Sequence, residues 1–341
     1  MLIDDLRRTS FNAIVLERGV RCLEHIGDTV DAADPCGRVL HRSRILCAGL
    51  SVLATETAAA LGAHDDLAEV ADLAASLSLL TKIDDEIIDG LTFHSGADTD
   101  RDELRRKTAR FLSITETSIY DAQPANAEPR AHLAAEVGQR IRRLSGGGDR
   151  TESLFSLVRA GWRTQVEAVA LLTTWPERVT SSEIDRVTRR ISGDWLSIIA
   201  ACGALPARGG RTLHDDEIEA IRDAGAFIQR ADSLADLEKD QAEGLTSTWA
   251  ACATERELFE GAPLGERYDA AARLHLELAA TPATETRAAI ARRLRDLGGV
   301  SAWLGWIHSM LLDRYRAHPL HRVPTSRSNP PARCPSLAPE V

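Results

Sequence analysis

Aromatic residues are scarce in this chain: Trp, Phe and Tyr make up 4% of 341 residues. A core must therefore be built from Leu, Ile, Val and Ala, and any aromatic cradle for a cation has few side chains to draw on. No run of 18 apolar residues occurs, so no segment reads as a membrane span. The six cysteines (Cys22, Cys36, Cys47, Cys202, Cys252 and Cys334) stand far apart and form no CxxC pair. That excludes a zinc ribbon or a disulfide framework and fits reduced thiols. The ten histidines show no ligand spacing except His318 and His321. The opening MLIDDLRRTSFNAIV carries acids where a signal peptide carries bases, and no apolar stretch follows, so the expectation is a cytoplasmic protein. Positive charge is in deficit: 41 Lys and Arg against 51 Asp and Glu give −10. That argues against nucleic acid or anionic membrane as the main partner and fits a protein that could hold divalent cations.

Alternating β patterns are also missing, and nearly every periodic segment has helical spacing. Residues 3–31 read as one or two helices, and Asp34-Pro35-Cys36-Gly37 as a turn. Helices are expected over 39–62, 65–89, 131–144, 151–173, 215–243, 265–282, 285–296 and 299–317, with a basic helix after residue 101. Another starts at Glu183, capped by Ser181 or Ser182, and runs through RRISGDWLSIIAACGAL. Residues 90–102 and 123–130 read as loops, and Ser145-Gly146-Gly147-Gly148 as a flexible break. Six of the 13 prolines lie at 319 or beyond, so 319–341 reads as a disordered tail behind a single domain, 1–318. The fold class is all-α, one bundle of roughly a dozen helices.

Two helices share an unusual pattern. Leu67, Val70, Ala74, Leu77 and Thr81 form an apolar stripe whose next member is Asp84, in the run IDDEIIDG. Ile218, Ile221, Gly225 and Ile228 form another, continued by Asp232, Asp236 and Asp240. A helix face that turns from apolar to carboxylate without changing sides either rolls into solvent or meets cations, because unpaired buried carboxylates are costly. If both helices line one cavity, its mouth carries opposed acidic clusters. Asp84, Asp85 and Asp89 form the first, and Asp232, Asp236 and Asp240 the second. Magnesium, which keeps several waters and bridges carboxylates to phosphates, suits such a mouth.

These motifs, with RRISG and Arg314-Tyr315, resemble the bacterial class I terpene synthases. IDDEIID is similar to the family's aspartate-rich motif. DSLADLEKD is similar to its second metal motif, with Asp232, Asp236 and Asp240 at the metal positions and Lys239 in its usual place. RRISG resembles the diphosphate-sensor segment, which makes Arg189 the sensor, Ser192 the linker and Gly193 a helix-break effector. Arg314-Tyr315 resembles a late Arg-Tyr pair. The resemblance spans residues 84 to 315 and implies a class I terpenoid synthase-type bundle. It also implies three Mg²⁺ ions, a linear prenyl diphosphate substrate bound by Arg189, Lys239, Arg314 and Tyr315, and a possible homodimer. Two features depart from the pattern: the second metal motif, and the scarcity of aromatics with which cyclases stabilise a cation. Asp stands at second-motif positions that are normally Asn and Ser, and Asp236-x-x-x-Asp240 approaches the style of squalene and phytoene synthases, which couple two prenyl diphosphates. The Arg-x-Tyr-Leu-Pro segment of those enzymes is absent, since the chain reads Leu245-Thr246-Ser247-Thr248-Trp249. A helical protein that binds prenyl diphosphate without turnover is the non-enzymatic alternative. Trp162, Phe155, Trp195, Phe227, Trp303 and Trp306 are the aromatics on hand for a cation, with Trp303 and Trp306 assigned to core packing.

Overall fold

The computed structural model describes residues 41–93, 100–172, 180–207, 211–235 and 282–316, together with Glu266 and Ala270. Among these residues every regular element is a helix. In chain order they are α1 (His41–Ala60), α2 (Leu67–Phe93), α3 (Arg101–Asp121), α4 (Pro129–Ser145), α5 (Asp149–Leu172), α6 (Ser181–Ala204), α7 (Asp215–Ala235), α8 (Pro282–Arg293) and α9 (Gly298–Arg316). Single 3₁₀ turns precede α2 and α9. The all-α expectation holds. The segments expected over 3–31, most of 265–282 and the tail 319–341 lie outside the described residues.

Helix α2 is central, and its sequence explains why. Leu73 to Leu80 is buried at every position, so the stretch faces protein on all sides. Its two serines do not oppose this: Ser78 Oγ turns back to the Ala74 carbonyl at 2.7 Å, and Ser76 is small. Helix α2 packs on α1, α4 and α6; α6 packs on α1, α5 and α7; α9 closes over α1 and α7. Trp303 and Trp306 are buried in that closure, as core residues. The scarcity of aromatics is met by small residues that let helices approach closely.

Several boundaries differ from expectation for local reasons. Pro129, within the loop expected over 123–130, sits at the start of α4, where its missing N–H costs nothing. Helix α6 is capped by Thr180 rather than Ser181 or Ser182. Thr180 Oγ1 accepts from the Glu183 N–H, and Glu183 accepts from the Thr180 N–H. Helix α2 runs on to Phe93, so the loop expected from residue 90 begins later. The break at Ser145–Gly148 is a turn in which Gly146, Gly147 and Gly148 have φ of 68°, 83° and 74°, a region that disfavours other residues.

The expected helix break near Gly193 is not present: α6 is continuous from Ser181 to Ala204. The glycine serves a close approach instead. A Cβ on Gly193 would lie 2.9 Å from the Cα and carbonyl oxygen of Arg222, and one on Gly225 would lie 2.5 Å from the Gly193 Cα. Two glycines facing each other bring α6 and α7 nearly backbone to backbone.

Candidate active site

Helix α2 delivers Asp84, Asp85 and Glu86 at the end of its buried stretch. Helix α7 delivers Asp232, half-buried, one turn beyond Ile228. Asp236, Lys239 and Asp240 lie outside the described residues. Asp89 lies on α2, and Arg314 and Tyr315 lie on α9, described there at the level of the helical backbone.

Asp84 points inward, as the stripe predicts, and is 2% exposed. It meets Arg130 of α4, whose Nη1 donates to Oδ1 at 2.9 Å, and Thr115 of α3, whose hydroxyl donates to the same oxygen at 3.3 Å. The Arg130 guanidinium lies 3.8 Å from the Phe111 ring centroid and also reaches Glu128. Asp84 Oδ2 is buried with no hydrogen-bond partner among the described residues. Burial, against the pull of Arg130, pushes the Asp84 carboxyl up to about 6. A buried carboxylate with one spare oxygen attracts a proton or a cation.

Asp85 faces the other way and is about one-third exposed. Its Oδ2 lies 2.5 Å from Lys82 Nζ, and its Oδ1 accepts from Gln165 Nε2 of α5 at 3.1 Å. The Lys82 ammonium is held well above the usual lysine range, first by Asp85 and then by Glu86 and by Asp232 on α7. Sequence reasoning missed Lys82, Gln165 and Arg130. The only signal for Lys82 was its place three residues before Asp85, which is also the mark of an ordinary helical ion pair.

Arg189 is exposed and pairs with Asp223, which Arg293 of α8 also holds at 2.6 Å. Arg189 is therefore paired outside both acidic runs. Ser192 is hydrogen-bonded to Gln229 of α7. Next to Gly193, Asp194 is 2% exposed and receives Arg222 Nε at 2.8 Å, the Thr164 hydroxyl at 2.7 Å and Arg190 at 3.5 Å. Trp162 and Trp195 meet edge to face with centroids 6.1 Å apart, whereas Phe155 packs on Tyr120.

No protein-family model matches the chain. No curated protein matches it either. Among solved structures it is similar to a geranylgeranyl pyrophosphate synthetase from the archaeon Geoglobus acetivorans, at 14% identity, over 88% of this chain and 99% of that one, with a TM-score of 0.45. No helix among the described residues is long and apolar enough to cross a membrane.

Proposed function

We propose that the chain is a Mg²⁺-dependent class I terpene synthase. It ionises a linear prenyl diphosphate, with farnesyl or geranylgeranyl diphosphate as the preferred substrate, and releases diphosphate with a terpene hydrocarbon or alcohol. The observation that supports this reading is the buried Asp84 at the end of the apolar stretch of α2, with Oδ2 lacking a hydrogen-bond partner among the described residues. Among the described residues no three acidic side chains are grouped closely enough to hold a metal ion; the oxygen on offer is Asp84 Oδ2, buried without a donor, and the full set needs Asp236 and Asp240. Asp84, Asp85 and Asp89 on one side and Asp232, Asp236 and Asp240 on the other would hold three Mg²⁺ ions. Bound magnesium supplies the positive charge that stabilises the departing diphosphate.

The chain's own residues do the rest of the work in this proposal. Arg130 keeps Asp84 Oδ1 engaged, so that Oδ2 is the oxygen left for a ligand. Gln165 orients Asp85 from across the bundle. Lys239, Arg314 and Tyr315 donate to the diphosphate. Arg189 joins them by exchanging Asp223 for the substrate anion, a change its exposed position permits. The Gly193–Gly225 contact holds α7 against α6 and sets the height of Asp232. Apolar side chains of α2, α5 and α7, with the Trp162–Trp195 pair, form the dry surface against which a carbocation folds.

The test is incubation of the protein with geranyl, farnesyl and geranylgeranyl diphosphate, each with and without Mg²⁺, followed by gas chromatography–mass spectrometry. Asp85→Ala and Asp240→Ala are run beside it; Asp84→Ala is a poorer probe because it also strips Arg130 of its partner. The expected result is a Mg²⁺-dependent product of unchanged carbon number, lost in both variants. A product of doubled carbon number instead identifies a squalene/phytoene-type coupling enzyme. Absence of diphosphate release from every substrate rejects catalysis.

A further inference from the structure

Helices α5, α6 and α7 leave a space between them at the start of α5 and of α7. Leu154 and Leu157 of α5 face it, as does Ile218 of α7, but α6 answers them with Ala201 and Ala204. Two short side chains one turn apart leave a cavity of about 30 Å³, which opens to the surface beside the exposed Ser153 and Thr212. The cavity is remote from the acidic residues of α2. Arg150 on its rim precedes Gln165, the partner of Asp85, by 15 residues of the continuous helix α5. At 1.5 Å per residue that is roughly 22 Å.

Arg150 supplies the charge at this cavity, and it is not a loose surface side chain. Its Nη1 donates to the Leu205 carbonyl at 2.6 Å and to the Ala207 carbonyl at 3.1 Å, at the end of α6. Both bonds use one nitrogen. The edge formed by Nε–H and Nη2–H stays available, and that edge grips a carboxylate with two parallel bonds. A guanidinium already pinned loses little freedom when an anion arrives. The recess behind it is walled mainly by Leu, Ile and Ala and has room for about two water-sized spheres. Such walls offer water few hydrogen bonds, whereas a small alkyl group restores the dispersion contacts they lack. We propose that this cavity binds a short-chain monocarboxylate of roughly two to four carbons, with its alkyl end against Ala201 and Ala204 and its carboxylate on Arg150. The inference is independent of the prenyl-diphosphate reading, since none of these residues belongs to an acidic run.

Propionate is the probe, titrated into the full chain with Leu and Ile methyl groups labelled for NMR. The methyls of Leu154, Leu157 and Ile218 should shift saturably, with a Kd of about 1–10 mM, as suits so small a ligand. Propionamide, which keeps the shape and loses the charge, should bind at least roughly 10-fold more weakly. Octanoate, too long for the recess, should bind no better than propionate. Ala201→Leu fills the space without touching Arg150 and should abolish the shifts while the other methyl signals stay in place. Arg150 itself is a poor target, because it also holds the end of α6. The proposal is overturned if propionate leaves these methyls unmoved, if propionamide or chloride moves them equally, or if octanoate binds more tightly. Undiminished binding in Ala201→Leu overturns it too. Should that variant fail to fold, the ligand series on the wild-type chain decides alone.

Discussion

Asp84 and Asp194 are the same residue type, each 2% exposed and each paired with an arginine, yet they are built for different ends. Asp194 is closed. Arg222 takes one oxygen, and Thr164 and Arg190 take the other, so three helices lock around it. Asp84 is open. Arg130 and Thr115 share Oδ1, and Oδ2 has no partner among the described residues. A buried carboxylate with every lone pair answered holds helices together, and one with an oxygen to spare is poised to take a ligand. The difference lies in the third element. At Asp194 it supplies the Thr164 hydroxyl to the second oxygen, and at Asp84 it supplies the Thr115 hydroxyl to the first.

The comparison breaks most sharply if Asp194 is removed. Asp194→Ala leaves Arg222 without its buried partner and unties α5, α6 and α7, at an expected cost of about 3–5 kcal/mol in a denaturant titration. A loss under 1 kcal/mol would mean that the network contributes little. Asp84 should show itself through pH. Its carboxyl is raised from 3.8 to about 6, so the folded chain binds this proton more tightly than the unfolded chain. The stability this group contributes is greatest below pH 3.8, declines as pH rises through the window from 3.8 to about 6, and is constant above it. The span is at most about 3 kcal/mol, at 1.36 kcal/mol per pH unit. Asp84→Asn should flatten that stretch of the stability–pH curve, and urea titrations at several pH values would read it. A curve of the same shape in the variant would reject the assignment.

Both aspartates also mark where sequence reading succeeds and where it stops. The helices were legible because the 3.6-residue period is a local property, and the inward aim of Asp84 followed from the stripe Val70, Ala74, Leu77. Its partner was not legible. Arg130 comes 46 residues later, behind a proline whose sequence context reads as loop although it starts a helix. The acidic character of the site was visible in IDDEIID and DSLADLEKD, but the hold of Gln165 on Asp85 was not, since it comes from a helix 80 residues further on. Gly193 shows the same limit from the other side. A lone glycine in a helix allows either a break or a close approach, and only Gly225, 32 residues away, decides between them.

That decision gives the smallest of the expected effects and the one most specific to the closed side of the molecule. In Gly193→Ala the new methyl meets backbone of Arg222 at 2.9 Å, and backbone cannot rotate aside as a side-chain tip can. Helix α6 gains about 1 kcal/mol from replacing an interior glycine with alanine, while overpacking costs roughly 1–3 kcal/mol. The net expectation is a loss of up to about 2 kcal/mol, measured by thermal or urea unfolding. Because α7 must move away from α6, Asp232 moves with it, and the variant should also bind Mg²⁺ and pyrophosphate more weakly. A helix break at this position would behave otherwise, because alanine would repair it and raise stability. The sign of the stability change therefore separates a hinge from a tight crossing.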